Sequence, residues 1–216
     1  MHHFRNKEFI IDLVIGAILL SISLIIENYA VGYTVTHASN SVTDVILSNT
    51  RVYNVYGAYV YGAVILVAII VMICAIKPQR APFVLKTVAL FTLVRAFCIS
   101  LTHIGPFPAQ IEVTSGFFTT IFPSFFIGDD FFFSGHTGLP FLMALIFWER
   151  PLLRVIFISF TALLATAVLL GHLHYSIDVV SAFFISFGVF SMAKIFFRDD
   201  WMRLRYNDRE KDHGVT

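Results

Sequence analysis

Apolar residues come in long runs along this chain, and polar and basic residues gather between them. The run from Phe9 to Ile26 is broken only by Asp12, and Val52 to Ile76 carries no charge at all. Each is long enough to cross a hydrocarbon core, which takes roughly 20 residues. Four further runs follow: Phe83 to Thr102, interrupted by Lys86 and Arg95; Phe131 to Trp148; Val155 to Leu173; and Tyr175 to Phe197. The pattern predicts an all-α membrane protein, a bundle of six transmembrane helices. It divides the chain into a six-span membrane domain over residues 1–198 and a short charged tail over 199–216 that is expected to fray. The first run is read as a retained helix. Arg5 and Lys7 precede it as they would a signal peptide, but it is long, lacks a small-x-small cleavage site and continues into Glu27 and Asn28.

Composition sharpens this reading. Of 216 residues, 57% are hydrophobic and 13% charged, too few charges to cover a soluble domain. Thirteen of the 15 Lys and Arg fall on one consistent side of the predicted spans: Arg5 and Lys7; Lys77, Arg80 and Lys86; Arg150 and Arg154; then Lys194 and the basic residues after it. By the positive-inside rule both termini face the cytoplasm, which agrees with an even number of spans. The formal net charge of +1 identifies no partner, and no nucleic-acid partner is expected. Cys74 and Cys98 lie inside predicted spans, so a disulfide framework is not expected.

With that topology, two long stretches and one tight turn meet on the non-cytoplasmic face. Glu27 to Arg51 is polar. His103 to Asp130 contains no Lys or Arg but holds Phe107, Phe117, Phe118, Phe122, Phe125 and Phe126. Rings of this kind either anchor a loop in the interface or line an entrance for a substrate arriving from the bilayer.

Ionisable groups at membrane depth are costly and usually functional. Residues 128–137 read G-D-D-F-F-F-S-G-H-T and residues 171–179 read G-H-L-H-Y-S-I-D-V, and the topology brings both to the same face. His174 and Asp178 are four apart, which on one helix places them on one face with the carboxylate able to orient the imidazole. His136 arrives from another helix, with Gly135 beside it to admit a close approach of backbone to ligand. Two histidines and a carboxylate suit phosphoryl transfer without a metal: one imidazole attacks phosphorus and the other moves the proton of the leaving or entering oxygen. His172, His174 and Asp178 are also metal-ligand types, but residues two apart on a helix do not converge, so no metal is expected. Arg95, a cation within the third span, is expected to bind Asp129, Asp130, Asp44 or a substrate phosphate. Glu112 is read as a solvated loop charge.

These segments resemble a known family. Gly128 to Thr137 is similar to the G-D-x-x-x-S-G-H-T motif of the sphingomyelin synthases, and His172 to Val179 to their H-x-H-Y-[ST]-x-D-V motif. Arg95 followed by L-T-H-I-G-P-F-P is a looser likeness to their Arg and T-x-L-P-x-P segment. Order and spacing agree from about Arg95 to Phe184, under half of the chain. The resemblance implies the fold of the type 2 phosphatidic acid phosphatase superfamily and a metal-independent triad of His136, His174 and Asp178. It further implies Arg95, Asp129, Asp130, Ser134, Gly135, His172 and Tyr175 as substrate-binding residues, and no cofactor. The implied reaction moves phosphocholine or phosphoethanolamine from a membrane phospholipid donor to a lipid alcohol, ceramide or diacylglycerol, on the non-cytoplasmic face. Water as acceptor would make the protein a phospholipase C-like hydrolase or lipid phosphate phosphatase. A third class is a non-enzymatic bundle whose His–Asp pair relays protons.

There are departures. The chain is shorter than the animal synthases. The phosphatases' K-x6-R-P motif is missing, and Val168 stands where they carry an Arg six residues before the second histidine. A phosphomonoester needs several cations, whereas a phosphodiester carries one negative charge, so the scarcity of basic residues on this face favours a phosphodiester donor.

Overall fold

The computed structural model describes residues 2–113, 116, 117, 120 and 132–209. Its described regular structure is all helical. Among the described residues the α-helices are α1 (His2–His37), α2 (Tyr56–Ile76), α3 (Ala81–Leu101), α4 (Gly135–Ile146), α5 (Pro151–Leu170), α6 (Ser176–Phe196) and α7 (Arg198–Arg209). Single 3-10 turns occupy Leu47–Asn49 and Pro78–Arg80.

Five of these helices are long and apolar enough to cross a membrane: residues 7–37 of α1, α2, α3 with the turn before it, α5 and α6. Their outward faces carry large apolar side chains such as Ile11, Val71, Leu152 and Phe184, all more than half exposed. Water would not tolerate that surface, so lipid is the solvent that fits it. Several such helices make this an integral membrane protein.

The expected fourth span differs. It is α4, a 12-residue helix about 18 Å long, short of the roughly 30 Å of a hydrocarbon core. Nine of its 12 residues are buried, which makes it the interior helix of the bundle. It packs between α5 and α6, while α1 lies along α3, α3 along α6 and α2 along α5. Gly138 is where α4 crosses its neighbours. A Cβ there would lie 2.8 Å from the Phe91 ring of α3 and 2.9 Å from the Ser186 hydroxyl of α6. Ser186 donates to the Gly138 carbonyl at 3.1 Å, a polar tie between helices at the point of closest approach.

Two expectations about helix ends are corrected. Glu27 and the ten residues after it, read as a polar loop, continue α1 to His37. Residues 199–209, read as a fraying tail, belong to α7 and dock on the bundle. Trp201 sits against Phe83 and Phe190 at centroid distances of 5.0 and 5.5 Å, and Leu204 is buried. A buried ion network completes the docking. Lys86 of α3 lies 3.0 Å from Asp12 of α1 and 2.6 Å from Asp200 of α7, and Arg203 reaches Asp12 at 2.9 Å. Lys86, which interrupts the third apolar run, thus joins three helices.

Removing one partner of a buried ion pair strands the others, at a cost of roughly 3 kcal/mol or more. Lys86→Ala is therefore expected to lower the unfolding midpoint in detergent markedly, and to expose the α6–α7 junction to protease before the rest of the bundle opens.

Candidate active site

The helices run between two poles of the bundle. The ion network marks one. At the other, the start of α4, the turn between α5 and α6, and the stretches after α1 and after α3 converge: Ser134 N–H donates to the Asp178 carbonyl, Tyr53 N–H to that of Leu170, and Ile111 N–H to that of Gly171.

His136 is the second residue of α4. Ser134 caps that helix, its hydroxyl accepting from Thr137 N–H at 3.3 Å and from the Thr137 hydroxyl at 3.2 Å. Ser134 is fully buried, so this local capping accounts for its position. The His136 ring is nearly buried and stacks on Tyr59 of α2, with centroids 4.2 Å apart and planes at 28°.

Arg95 lies directly over Gly135. A Cβ at Gly135 would fall 2.9 Å from Arg95 Nε, so a side chain there would push the guanidinium away. Arg95 Nε donates to the Phe133 carbonyl at 3.2 Å, and Nη1 reaches Glu27 at 2.6 Å. Glu27 is thus one carboxylate partner of Arg95, and one that the sequence did not point to. Asp44 is held elsewhere, its two oxygens binding the start of α6 and its own turn. Asp129 and Asp130 lie outside the described residues, as do Phe118, Phe122, Phe125 and Phe126.

His174 and Asp178 meet, though not by the expected route. The helix begins at Ser176, so His174 precedes it and Asp178 is its third residue. Asp178 Oδ2 accepts Tyr175 N–H at 2.9 Å, closing the first turn, and lies 3.5 Å from His174 Nδ1. Asp178 has no exposed surface and His174 very little. One carboxylate thus serves as helix cap and imidazole partner. His174 and Arg95 both lie within electrostatic reach of His136.

The turn that presents His174 is built by the C-terminus of α5. Leu173 N–H donates to the Val168 carbonyl and His172 N–H to that of Leu169, a Schellman arrangement. Its left-handed position, normally glycine, is His172 at φ 54°. That conformation sends the His172 ring toward Thr50, 3.3 Å from Nε2 to the hydroxyl, and against the edge of Phe107. Tyr175 is likewise engaged in the scaffold: its hydroxyl donates to the Gly105 carbonyl at 2.8 Å and accepts Val42 N–H at 3.3 Å. His172 and Tyr175 thus fasten the stretches after α1 and α3 around His174.

Asp44 completes this frame from 132 positions away in sequence. Its Oδ2 accepts the Ser176 N–H and hydroxyl at 2.7 and 2.6 Å, and Oδ1 accepts Ile46 and Leu47 N–H at 2.8 and 3.0 Å. It puts a negative charge at the N-terminus of α6, where the helix dipole favours one.

Sequence reasoning missed Tyr59 and Glu27 as parts of this site. Tyr59 is one aromatic among many in a charge-free span and carried no distinguishing signal. Glu27 did: an acid in helical register with an apolar run needs a partner. Among the described residues no group of three or more His, Cys, Asp or Glu is arranged to hold a metal ion.

Residues 129–195 match the family model described as PAP2 superfamily C-terminal. The match spans both histidine segments and less than half of the chain. It supports the PAP2 superfamily, whose members suggest phosphatase or phosphotransferase activity on lipids, and does not single out the sphingomyelin synthases. Neither a curated protein nor a solved structure matches the chain significantly.

Burial pushes the Asp44 carboxyl up, but the hydrogen bonds from Ser176, Leu47 and Ile46 outweigh it and hold the group below the usual carboxylate range. A lowered folded-state value contributes stability that is complete above the unfolded value, about 3.9, and is lost as pH falls through the folded one. The stability difference between wild type and Asp44→Asn should accordingly stay constant from pH 7 to about 5 and shrink below about pH 4 in denaturation measurements.

Proposed function

We propose that this protein is a phospholipid head-group phosphotransferase of the sphingomyelin synthase type. The observation that carries the reading is His174 held 3.5 Å from the buried Asp178 at the pole where His136 and Arg95 also lie.

With Nδ1 turned to Asp178, His174 has Nε2 as its attacking atom. Attack on the donor's phosphorus forms a P–N bond and breaks the bond to diacylglycerol, whose oxygen takes a proton from His136. The donor's phosphate anion favours the protonated form of His136 on arrival. His136, now neutral, then accepts the proton of the acceptor hydroxyl as that oxygen attacks phosphorus, and the P–N bond breaks to restore His174. Asp178 stabilises the imidazolium character of His174 during both steps.

Arg95 is the residue placed to hold the phosphate oxygens. Its charge is already shared with Glu27, which suits one negative charge better than two and so a phosphodiester donor. Gly135 leaves the space the guanidinium occupies, and Asp129 and Asp130 are proposed to border the same site. His172, Tyr175 and Ser134 act on substrate through the turn and cap they build. Ceramide as acceptor, and the non-cytoplasmic face as the side of reaction, rest on the family likeness and the positive-inside pattern.

The test is turnover of labelled phosphatidylcholine and phosphatidylethanolamine in mixed micelles, with and without ceramide or diacylglycerol, resolved by thin-layer chromatography. Wild type is expected to form labelled sphingophospholipid. His174→Ala should fall to background, and His136→Ala should lose about 10²–10⁴-fold, the usual contribution of general acid–base catalysis. Diacylglycerol release without an acceptor would reassign the protein as a hydrolase. No turnover of these donors or of lipid phosphates would sink the enzymatic reading.

A further inference from the structure

The pole opposite the histidines holds a cavity of about 610 Å³ between the end of α4, the start of α5, the last turns of α6 and the docked helix α7. Its wall is aromatic, with Phe147 and Trp148 on one side and Phe190 and Trp201 on the other. Among the described residues three cations also line it, Arg150, Lys194 and Arg205, against one carboxylate, Glu149. Glu149 pairs with Arg205, whose guanidinium lies 5.4 Å from the Trp201 ring centroid. Lys194 has no carboxylate partner among the described residues, and its ammonium sits 4.5 Å over the Phe190 ring. A half-buried wall with net positive charge and an aromatic floor calls for an anion attached to an apolar body.

The cavity reaches the perimeter of the bundle through Phe187, which both lines it and is exposed. Phe187 ends an exposed apolar stripe on α6 made by Ile177, Val180, Phe184 and Phe187, spaced along one helix face. An acyl chain leaving the cavity would lie along that stripe. Two tryptophans at one level of a membrane bundle mark an interface, and the basic residues at this pole mark it as the cytoplasmic one, where anionic lipids concentrate.

We infer that this cavity is a second lipid site, distinct from the histidine pole, that binds the head group of an anionic glycerophospholipid from the surrounding leaflet. The phosphate is held by Lys194 and Arg150, the glycerol backbone rests on the aromatic wall, and one acyl chain follows the α6 stripe. Docking of α7 is part of the site, since Trp201 and Arg205 belong to it. The inference is independent of which reaction the histidines perform.

The chain's two tryptophans, Trp148 and Trp201, both line the cavity, so their fluorescence reports on it directly. Purified protein in phosphatidylcholine bilayers would be titrated with phosphatidylglycerol or phosphatidylcholine brominated on the acyl chain, and contact quenching measured. Wild type should be half-quenched at a mole fraction of brominated phosphatidylglycerol about fivefold lower than of brominated phosphatidylcholine, as expected for a site cation near the surface. Lys194→Arg should keep that preference, and Lys194→Gln with Arg150→Gln should abolish it. Millimolar inorganic phosphate should leave the quenching unchanged. Equal quenching of wild type by the two lipids, a preference that survives in the double variant, or full displacement by phosphate would each overturn the site.

Discussion

One buried carboxylate holds the histidine pole together. Asp178 has no exposed surface, and charge in that position persists only if it is matched. Its contacts include the Tyr175 N–H at 2.9 Å and the His174 ring at 3.5 Å. The first contact starts α6 and the second orients the imidazole, so helix initiation and the placement of His174 depend on one carboxylate. Ser134 N–H also donates to the Asp178 carbonyl, which ties the start of α4, and with it His136, to the same residue.

Around that point the polypeptide uses polar contacts sparingly and at helix ends, where the backbone has groups left over. Asp44 takes up N–H groups at the start of α6, Ser134 those at the start of α4, and the Tyr175 hydroxyl a carbonyl and an N–H from two different loops. The other pole repeats the logic with charge: Asp12, Lys86, Asp200 and Arg203 join α1, α3 and α7 where lipid would otherwise meet bare ions. Between the poles the helices meet through small residues and aromatic rings, since burying apolar surface against apolar lipid contributes little. The short helix α4 is tolerated because its ends contact protein rather than lipid.

Much of this was legible in the sequence. Long apolar runs identify lipid-facing helices because the bilayer imposes a length, and five such helices are present. The two histidine segments were legible because His and Asp at membrane depth are costly without a role. Arg95 announced itself for the same reason. Its partner did not, since Glu27 lies 68 positions away on a helix whose end the sequence does not mark. The tail misled because its charges were weighed as solvated, whereas Asp200 is buried against Lys86 and Trp201 supplies the apolar contact that docks α7.

His172 shows where local pattern stops. The sequence offers Gly171 for the left-handed position that ends α5, yet His172 occupies it, and its ring turns to Thr50 and Phe107 instead of joining His174. The sequence by itself determined the solvent, the five long apolar helices and the chemical groups, because hydrophobic length and the cost of buried charge are properties of single segments. Only the tertiary structure decided which groups meet: that Asp178 reaches His174 across a helix cap, that Tyr59 stacks on His136, and that Glu27 shares Arg95. Those pairings depend on how helices cross and where their ends fall, and segments far apart in the chain settle them together.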